Sequence, residues 1–151
     1  MATIDREAIY LALLARVWAA YAWKNPLATA RRVKLWGDVP LEMRPALYQF
    51  EGGDETYAWK ANNAQPTRTL PANLFVYFDA KAPESIGASQ INAVMDALDT
   101  ALQVTGGDIQ IGRCTLGGLV YSCRIDGPVF KDPGDLDGDG MLNVPISIVV
   151  P

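Results

Sequence analysis

The groups that could carry chemistry in this chain are seventeen acidic side chains and two cysteines, because histidine is absent. Histidine is the side chain most often used for acid–base catalysis near neutral pH, and it is the commonest metal ligand. Without it the usual serine or cysteine triads cannot be assembled. None of the carboxylates stands in a recognisable glycosidase-like pair. We therefore expect no enzymatic activity and no cofactor.

One acidic segment imitates the start of a calcium-binding loop. Asp135, Asp137 and Asp139 alternate, and Gly140 stands at the sixth position, where such loops turn sharply. The twelfth position, where a glutamate should close the coordination sphere, is Ile146. The segment is therefore interpreted as an acidic turn between two strands, with calcium binding by the three aspartates as the alternative.

The two cysteines, Cys114 and Cys123, are too few for a disulfide framework and are expected to be reduced. Cys123 falls on the apolar face of a predicted strand, which places it in the core. Cys114 precedes the turn 115–118 and is expected to be more exposed. Neither has an obvious activating neighbour.

Composition favours one soluble globular domain spanning residues 1–151. Half of the residues are hydrophobic and a fifth are charged, and a chain of this length buries roughly 70% of its unfolded surface. The net charge of −4 has the wrong sign for gripping nucleic acid phosphates. The apolar stretch 8–23 follows three charged residues and contains Arg16, so it predicts a buried helix and not a membrane or signal segment.

Two helices are predicted, over residues 4–23 and 83–103. Thr3 is the expected N-cap of the first helix and Pro26 follows its end, while Gly106 and Gly107 follow the second. The first helix is apolar around more than one side, and one sheet can cover only one of them. This pattern indicates either an oligomer or an ordinary core helix with some exposed apolar residues.

Period-two alternation predicts five strands, over residues 31–36, 45–50, 70–78, 119–126 and 144–150. Pro145 cannot donate a ladder hydrogen bond, which predicts that the last strand lies at an edge. Successive strands with hairpin-length links predict an α+β fold, with an antiparallel β-sheet of about five strands packed against two main α-helices. The stretch 51–66, which contains Tyr57, Trp59 and the polar run 62–65, predicts a long projecting loop that is either a binding element or a mobile tip.

An ordered set of short phrases runs along the chain: Trp36-Gly37-Asp38-Val39-Pro40, Pro45-Ala46-Leu47-Tyr48, Arg68-Thr69-Leu70, Leu74-Phe75-Val76-Tyr77, Thr115-Leu116-Gly117-Gly118-Leu119-Val120 and Val144-Pro145-Ile146. Together they resemble the tail-terminator (minor tail protein) family of long-tailed phages. The resemblance covers nearly the whole chain, although the acidic stretch 132–140 has no counterpart in it. The antiparallel sheet with helices that the family shares agrees with the fold predicted from the residues.

The resemblance implies a structural virion protein that caps the tail tube as a homo-hexameric ring and presents a face to head-completion or connector proteins. Its partners would be copies of itself, the tail tube protein and the head-completion protein, and DNA would pass through the lumen without specific binding. It would be found in the tail or neck of the virion, and in the host cytoplasm during assembly. No membrane would be involved.

Five aromatic residues are the predicted anchors of the ring or tube interface: Trp18, Tyr21, Trp36, Tyr57 and Trp59. Exposed Tyr and Trp are favoured at interfaces. Trp36 has a second interpretation, as a packed core residue. Two alternative functions remain open at this point: another neck ring such as a head–tail joining protein, and a small calcium-binding module.

Overall fold

The computed structural model describes residues 4–61 and 65–151. These residues form two α-helices, α1 (Arg6–Ala19) and α2 (Gly87–Ala101), and one antiparallel sheet. Its six strands in the described chain are β1 (Ala46–Phe50), β2 (Thr56–Ala58), β3 (Thr67–Asp79), β4 (Ser122–Ile125), β5 (Phe130–Asp132) and β6 (Asp139–Val150). The predicted α+β fold is thereby confirmed, with one strand more than expected.

The two long strands β3 and β6 form the centre of the sheet and pair over twelve residues, from Arg68↔Val150 to Asp79↔Asp139. On the other side of β3, β2 and β1 pair with its first and second halves. On the other side of β6, β5 and β4 do the same. The sheet therefore has two outer edges, each made of two short strands end to end.

Both helices pack on one face of this sheet, and the main core lies between them. Alternate residues of β3 and β6 point into it because side chains alternate along a strand. The fully buried members of this core include Leu13, Val17, Leu70, Leu74, Val76, Val94, Leu98, Leu142, Val144 and Ile148. Neither described helix has the length and apolar character that crossing a lipid bilayer requires.

Helix α1 is shorter than the predicted range 4–23. Asp5 caps it, since its carboxylate accepts from the amide of Ala8 at 3.0 Å; the predicted cap, Thr3, lies outside the described residues. At the other end the Val17 carbonyl accepts from the Ala20 amide and from the Trp23 indole. These bonds replace further α-helical ones, so the helix ends at Ala19.

Helix α2 also begins later than predicted, at Gly87 and not at residue 83. A side chain at Gly87 would collide with the backbone, because a Cβ there would lie 1.7 Å from the carbonyl oxygen of Pro133. The glycine thus lets the helix start directly against the β5–β6 connection. Farther on, α2 ends at Ala101, before the predicted stop at Gly106 and Gly107.

The predicted strand 31–36 is wrong. The chain instead forms turns there, including a short 3-10 helix at Trp36–Asp38. The Lys34 carbonyl accepts from the Tyr77 hydroxyl at 2.6 Å, which fixes this segment across the sheet face and not beside a strand. The alternation of apolar and polar residues in this segment therefore reflects the packing of Val33 against the sheet and not the hydrogen-bond ladder of a strand.

The prediction that the last strand lies at an edge is also wrong, because β6 is central. Its outer neighbours leave a gap: β4 pairs with residues 146–149 and β5 with residues 141–143. Pro145 falls beside that gap, and its carbonyl accepts from the Asp126 amide at 3.1 Å. A central strand can hold a proline here because no ladder hydrogen bond is required from its nitrogen.

The stretch 51–66 is not one long projecting loop. It contains β2, which folds back and pairs with Thr67–Thr69 of β3. Residues 62–64, within the predicted polar tip, lie outside the described residues. Tyr57 therefore stands on a strand.

Candidate functional site

The three aspartates of the calcium-like segment do not converge on a common centre. Asp139 accepts from Arg44 at 2.7 Å and from Lys81 at 3.2 Å, and the hydrogen bond from the Arg44 guanidinium lowers the pKa of its carboxyl. The Asp137 carboxylate accepts a hydrogen bond from the Asp139 amide at 2.9 Å, while Asp135 is exposed. Within residues 4–61 and 65–151, no group of three or more His, Cys, Asp or Glu side chains could hold a metal ion. The segment has the geometry of an acidic turn.

Arg44 organises the turn that carries Trp36. Its buried guanidinium donates to the carbonyl of Trp36 at 2.7 Å and to that of Val39 at 3.0 and 3.2 Å, besides its ion pair with Asp139. The turn is therefore held by its backbone, and the Trp36 side chain remains half exposed. This placement favours the interface interpretation of Trp36 over the core one.

The two aromatic residues near β2 are held differently. The Tyr57 hydroxyl accepts from Arg6 at 3.0 Å, and its ring lies 5.5 Å from the Arg68 guanidinium. Arg6 also forms two hydrogen bonds with Glu55, at 2.7 and 2.8 Å, and this pairing lowers the pKa of Glu55 to about 2. Trp59 is 65% exposed. The first turn of α1 thus positions β2, and Trp59 offers most of the free surface.

Trp18 and Tyr21, predicted as interface anchors, pack in part against the main core. The Tyr21 ring lies 5.0 Å from that of Trp23. Both side chains are half-buried. Leu11 and Ala15, on the outward side of α1, are more exposed than either.

Cys114 was expected to be more exposed than Cys123, and the structure buries both, at 3% and 1% exposure. Its carbonyl accepts from the Cys123 amide at 2.8 Å, and Arg16 donates to its sulfur at 3.2 Å. Cys123 is buried as predicted, and burial raises the pKa of its thiol to about 12. A thiol with so high a pKa is a poor nucleophile at neutral pH.

The sheet face opposite the helices is a surface that sequence reasoning did not identify. The segment 33–43 covers only the part around Tyr48 and Tyr77. Beyond it, the outward positions in the middle of the two central strands are half-buried and carry no charge: Thr69, Pro71, Asn73, Asn143, Pro145, Ser147 and Val149. The charged outward residues, Asp79 and Asp139, stand opposite each other at the strand ends. Phe50 and Phe130 stand half exposed on either side of this face. The signal in the sequence was the lack of Lys, Arg, Asp and Glu at these alternate positions, where a solvated sheet face normally has them.

The sequence matches no protein-family model and shows no significant similarity to a curated protein. The residues and the geometry must therefore carry the functional argument.

Proposed function

We propose that this chain is a structural virion protein that caps the phage tail tube as a ring. The ring ends polymerisation of the tube and forms the interface with head-completion proteins in the neck. Two features support this role: the resemblance of the sequence to tail terminators and the apolar side chains that the single chain exposes. Its role is geometric and not catalytic.

The observation that carries this proposal is the amount of apolar surface that one chain leaves in contact with water. Large apolar side chains are exposed on the outward side of α1, at the turn 35–36, at β2 and on the second face of the sheet. They include Leu11, Leu27, Leu35, Trp36, Phe50, Tyr57, Trp59 and Phe130. Large exposed aromatic and aliphatic side chains are favoured anchors at protein interfaces. A protein that meets its own copies, a tube and a neck needs several such surfaces.

The edges of the sheet support contacts through side chains at some places and through short strands at others. The backbone groups on the outer edge of β1 are already hydrogen-bonded. Asn25 forms two hydrogen bonds with the backbone of Leu47, and the backbone amide of Gln49 donates to the Ala30 carbonyl. The three-residue strands β2 and β5 are exposed. Such short edges limit uncontrolled strand addition. Ring contacts are therefore proposed to use side-chain surfaces together with β2 and β5.

The charge of the subunit fits a channel through which DNA passes without specific binding. Each chain has thirteen basic and seventeen acidic residues, so a ring of copies carries a net negative charge. A negative ring disfavours tight binding of phosphates. Specific recognition of DNA is not part of the proposal.

The test is the length of tail tubes made without this chain. Deleting its gene should yield tubes of irregular and excessive length, since polymerisation would lack its stop, and expression in trans should restore a uniform length. Electron microscopy of negatively stained particles measures both. Tubes of normal length that fail to join heads would instead support a head–tail joining ring, and normal infectious particles would refute both roles.

A further inference from the structure

We propose that copies of this chain associate head to tail, with Leu136 of one copy seated in an apolar groove beside α1 of the next. The inference deepens the proposed function and rests on its ring. It names the surface on each side of the contact.

The groove lies between α1 and the turn that follows it. Its lining is almost entirely apolar, its volume is about 410 Å³, and the residues that form it are Leu11, Leu14, Ala15, Leu27, Ala28 and Arg31. The turn is fixed to the outer edge of β1 by the bonds of Asn25 and Ala30 described above. The groove therefore belongs to the β1 edge of the molecule.

Leu136 is the most exposed large apolar side chain of the described residues. It stands on the turn between β5 and β6, and that turn is held at its base. Gly138 donates to the Gly134 carbonyl at 2.8 Å, the Ala80 amide donates to Gly138 at 2.9 Å, and Lys81 donates to the Asp137 carbonyl at 2.6 Å. A leucine presented on a preorganised turn loses little conformational entropy when it binds.

The groove and the turn of Leu136 are different surfaces of the molecule. The groove borders β1, and the turn of Leu136 follows β5, which pairs with β6 on the side away from β3. A contact between different surfaces of identical chains is heterologous, and it closes into a ring when the rotation between copies allows it. This is the contact type that a hexamer of the proposed kind needs.

Charge favours the same pairing. Residues 8–37 contain five basic side chains, Arg16, Lys24, Arg31, Arg32 and Lys34, and no acidic one. Residues 132–151 contain four acidic side chains, Asp132, Asp135, Asp137 and Asp139, and no basic one. Asp139 is engaged by Arg44 and Lys81, whereas Asp135 is exposed beside Leu136. Arg31 is engaged by Glu7 and Glu51, but Lys24 and Arg32 are exposed and form no ion pair within the described chain. These two cations and Asp135 would align the copies as Leu136 docks.

Disulfide trapping tests the contact. The variant Leu27→Cys/Leu136→Cys has two exposed thiols, because Cys114 and Cys123 are buried. Mild oxidation should give a ladder of cross-linked oligomers on denaturing gels. The matched control is Leu27→Cys/Leu35→Cys, since Leu35 is 74% exposed and lies on a different surface. A ladder of equal yield in the control, or none in the test variant, overturns the contact.

Mixing two charged variants tests its polarity. Leu27→Asp removes the groove and Leu136→Asp removes the docking leucine, so each alone should be monomeric by analytical ultracentrifugation, with an unchanged circular dichroism spectrum. Mixed together they retain one intact contact and should form a one-to-one dimer that weakens as salt is raised. Either variant assembling like the wild type would overturn the proposal.

The outcomes separate this contact from the proposed function. If the wild type forms rings and restores tail length while both single variants do the same, the contact is wrong and the function stands. If the wild type stays monomeric at every concentration and tails are normal without it, the function itself fails. Variants that remain ring-forming but lose attachment to the tube would show that the groove receives the tube protein and not a second copy.

Discussion

At the scale of single residues, Arg44 is a side chain whose loss should be costly. It is 5% exposed, pairs with Asp139 and donates to the carbonyls that shape the turn 36–39. Arg44→Ala removes the donor of the Val39 carbonyl and leaves Asp139 with Lys81 alone, and breaking a buried pair from one side typically costs about 3–5 kcal/mol. We expect a loss of that size in the free energy of unfolding, measured by denaturant titration of tryptophan fluorescence.

The matched control for Arg44 is Arg124, whose ion pair with Asp126 is exposed. Exposed pairs contribute at most about 1 kcal/mol, so Arg124→Ala should change the midpoint little. Equal losses in the two variants would contradict the role given to Arg44.

The Arg6–Glu55 pair predicts a pH dependence at the same scale. Its hydrogen bonds lower the pKa of Glu55 in the folded protein from 4.5 to about 2. A lowered pKa means that the stabilisation is complete above the unfolded value and is lost as pH falls through the folded one. In a double-mutant cycle of Arg6→Gln and Glu55→Gln, the coupling energy should be present near neutral pH, decline below pH 4.5 and vanish below about 2. A coupling that is constant over this range would contradict the assignment.

At the scale of elements, Asn25 protects the edge of β1. Its buried amide donates to the Leu47 carbonyl at 2.8 Å and accepts from the Leu47 amide at 3.0 Å. Asn25→Ala removes both partners, and an unsatisfied buried backbone group costs about 1–3 kcal/mol. We expect a loss of that order in stability and faster hydrogen exchange at the Leu47 amide, measured by nuclear magnetic resonance. Thr29→Ala is the control, because its hydroxyl makes only an exposed bond of 3.4 Å to Pro26.

Most of the elements could be predicted from local patterns, because the long strands and both helices bury one periodic face. The failures have a common cause. Pro145 sits in a central strand because β4 and β5 happen to leave a gap beside it, and the segment 31–36 is a turn because Arg44 and Tyr77 bind its carbonyls and those around it. Such reasons depend on residues far away in the sequence, which a local pattern does not contain.

The candidate interface residues were also predictable only in part from local sequence patterns. The side chains of Trp36, Tyr57 and Trp59 are about half exposed or more. Their positions in turn-rich segments of the sequence had suggested this exposure. Trp18 on α1 and Tyr21 after its end both pack in part against the core, while Leu11 and Ala15 of α1 are the exposed residues. The uncharged middle of the second sheet face became apparent only once the strand order was known.

At the scale of the whole molecule, the surface around β2 should matter for assembly and not for folding. Trp59 is 65% exposed, so Trp59→Ala should leave the melting temperature nearly unchanged. The same change should weaken ring or tube contacts, because an aromatic anchor at an interface often contributes about 2 kcal/mol or more to binding. Ile109, also 65% exposed, lies in the 3-10 helix Gly106–Gln110, and Ile109→Ala is the matched control. Complementation of a deletion strain, scored by tail length and infectious titre, should fail for Trp59→Ala and succeed for Ile109→Ala. Equal rescue by both would remove Trp59 from the interface, whereas failure of both would mean that the assembly surface extends to the 3-10 helix Gly106–Gln110.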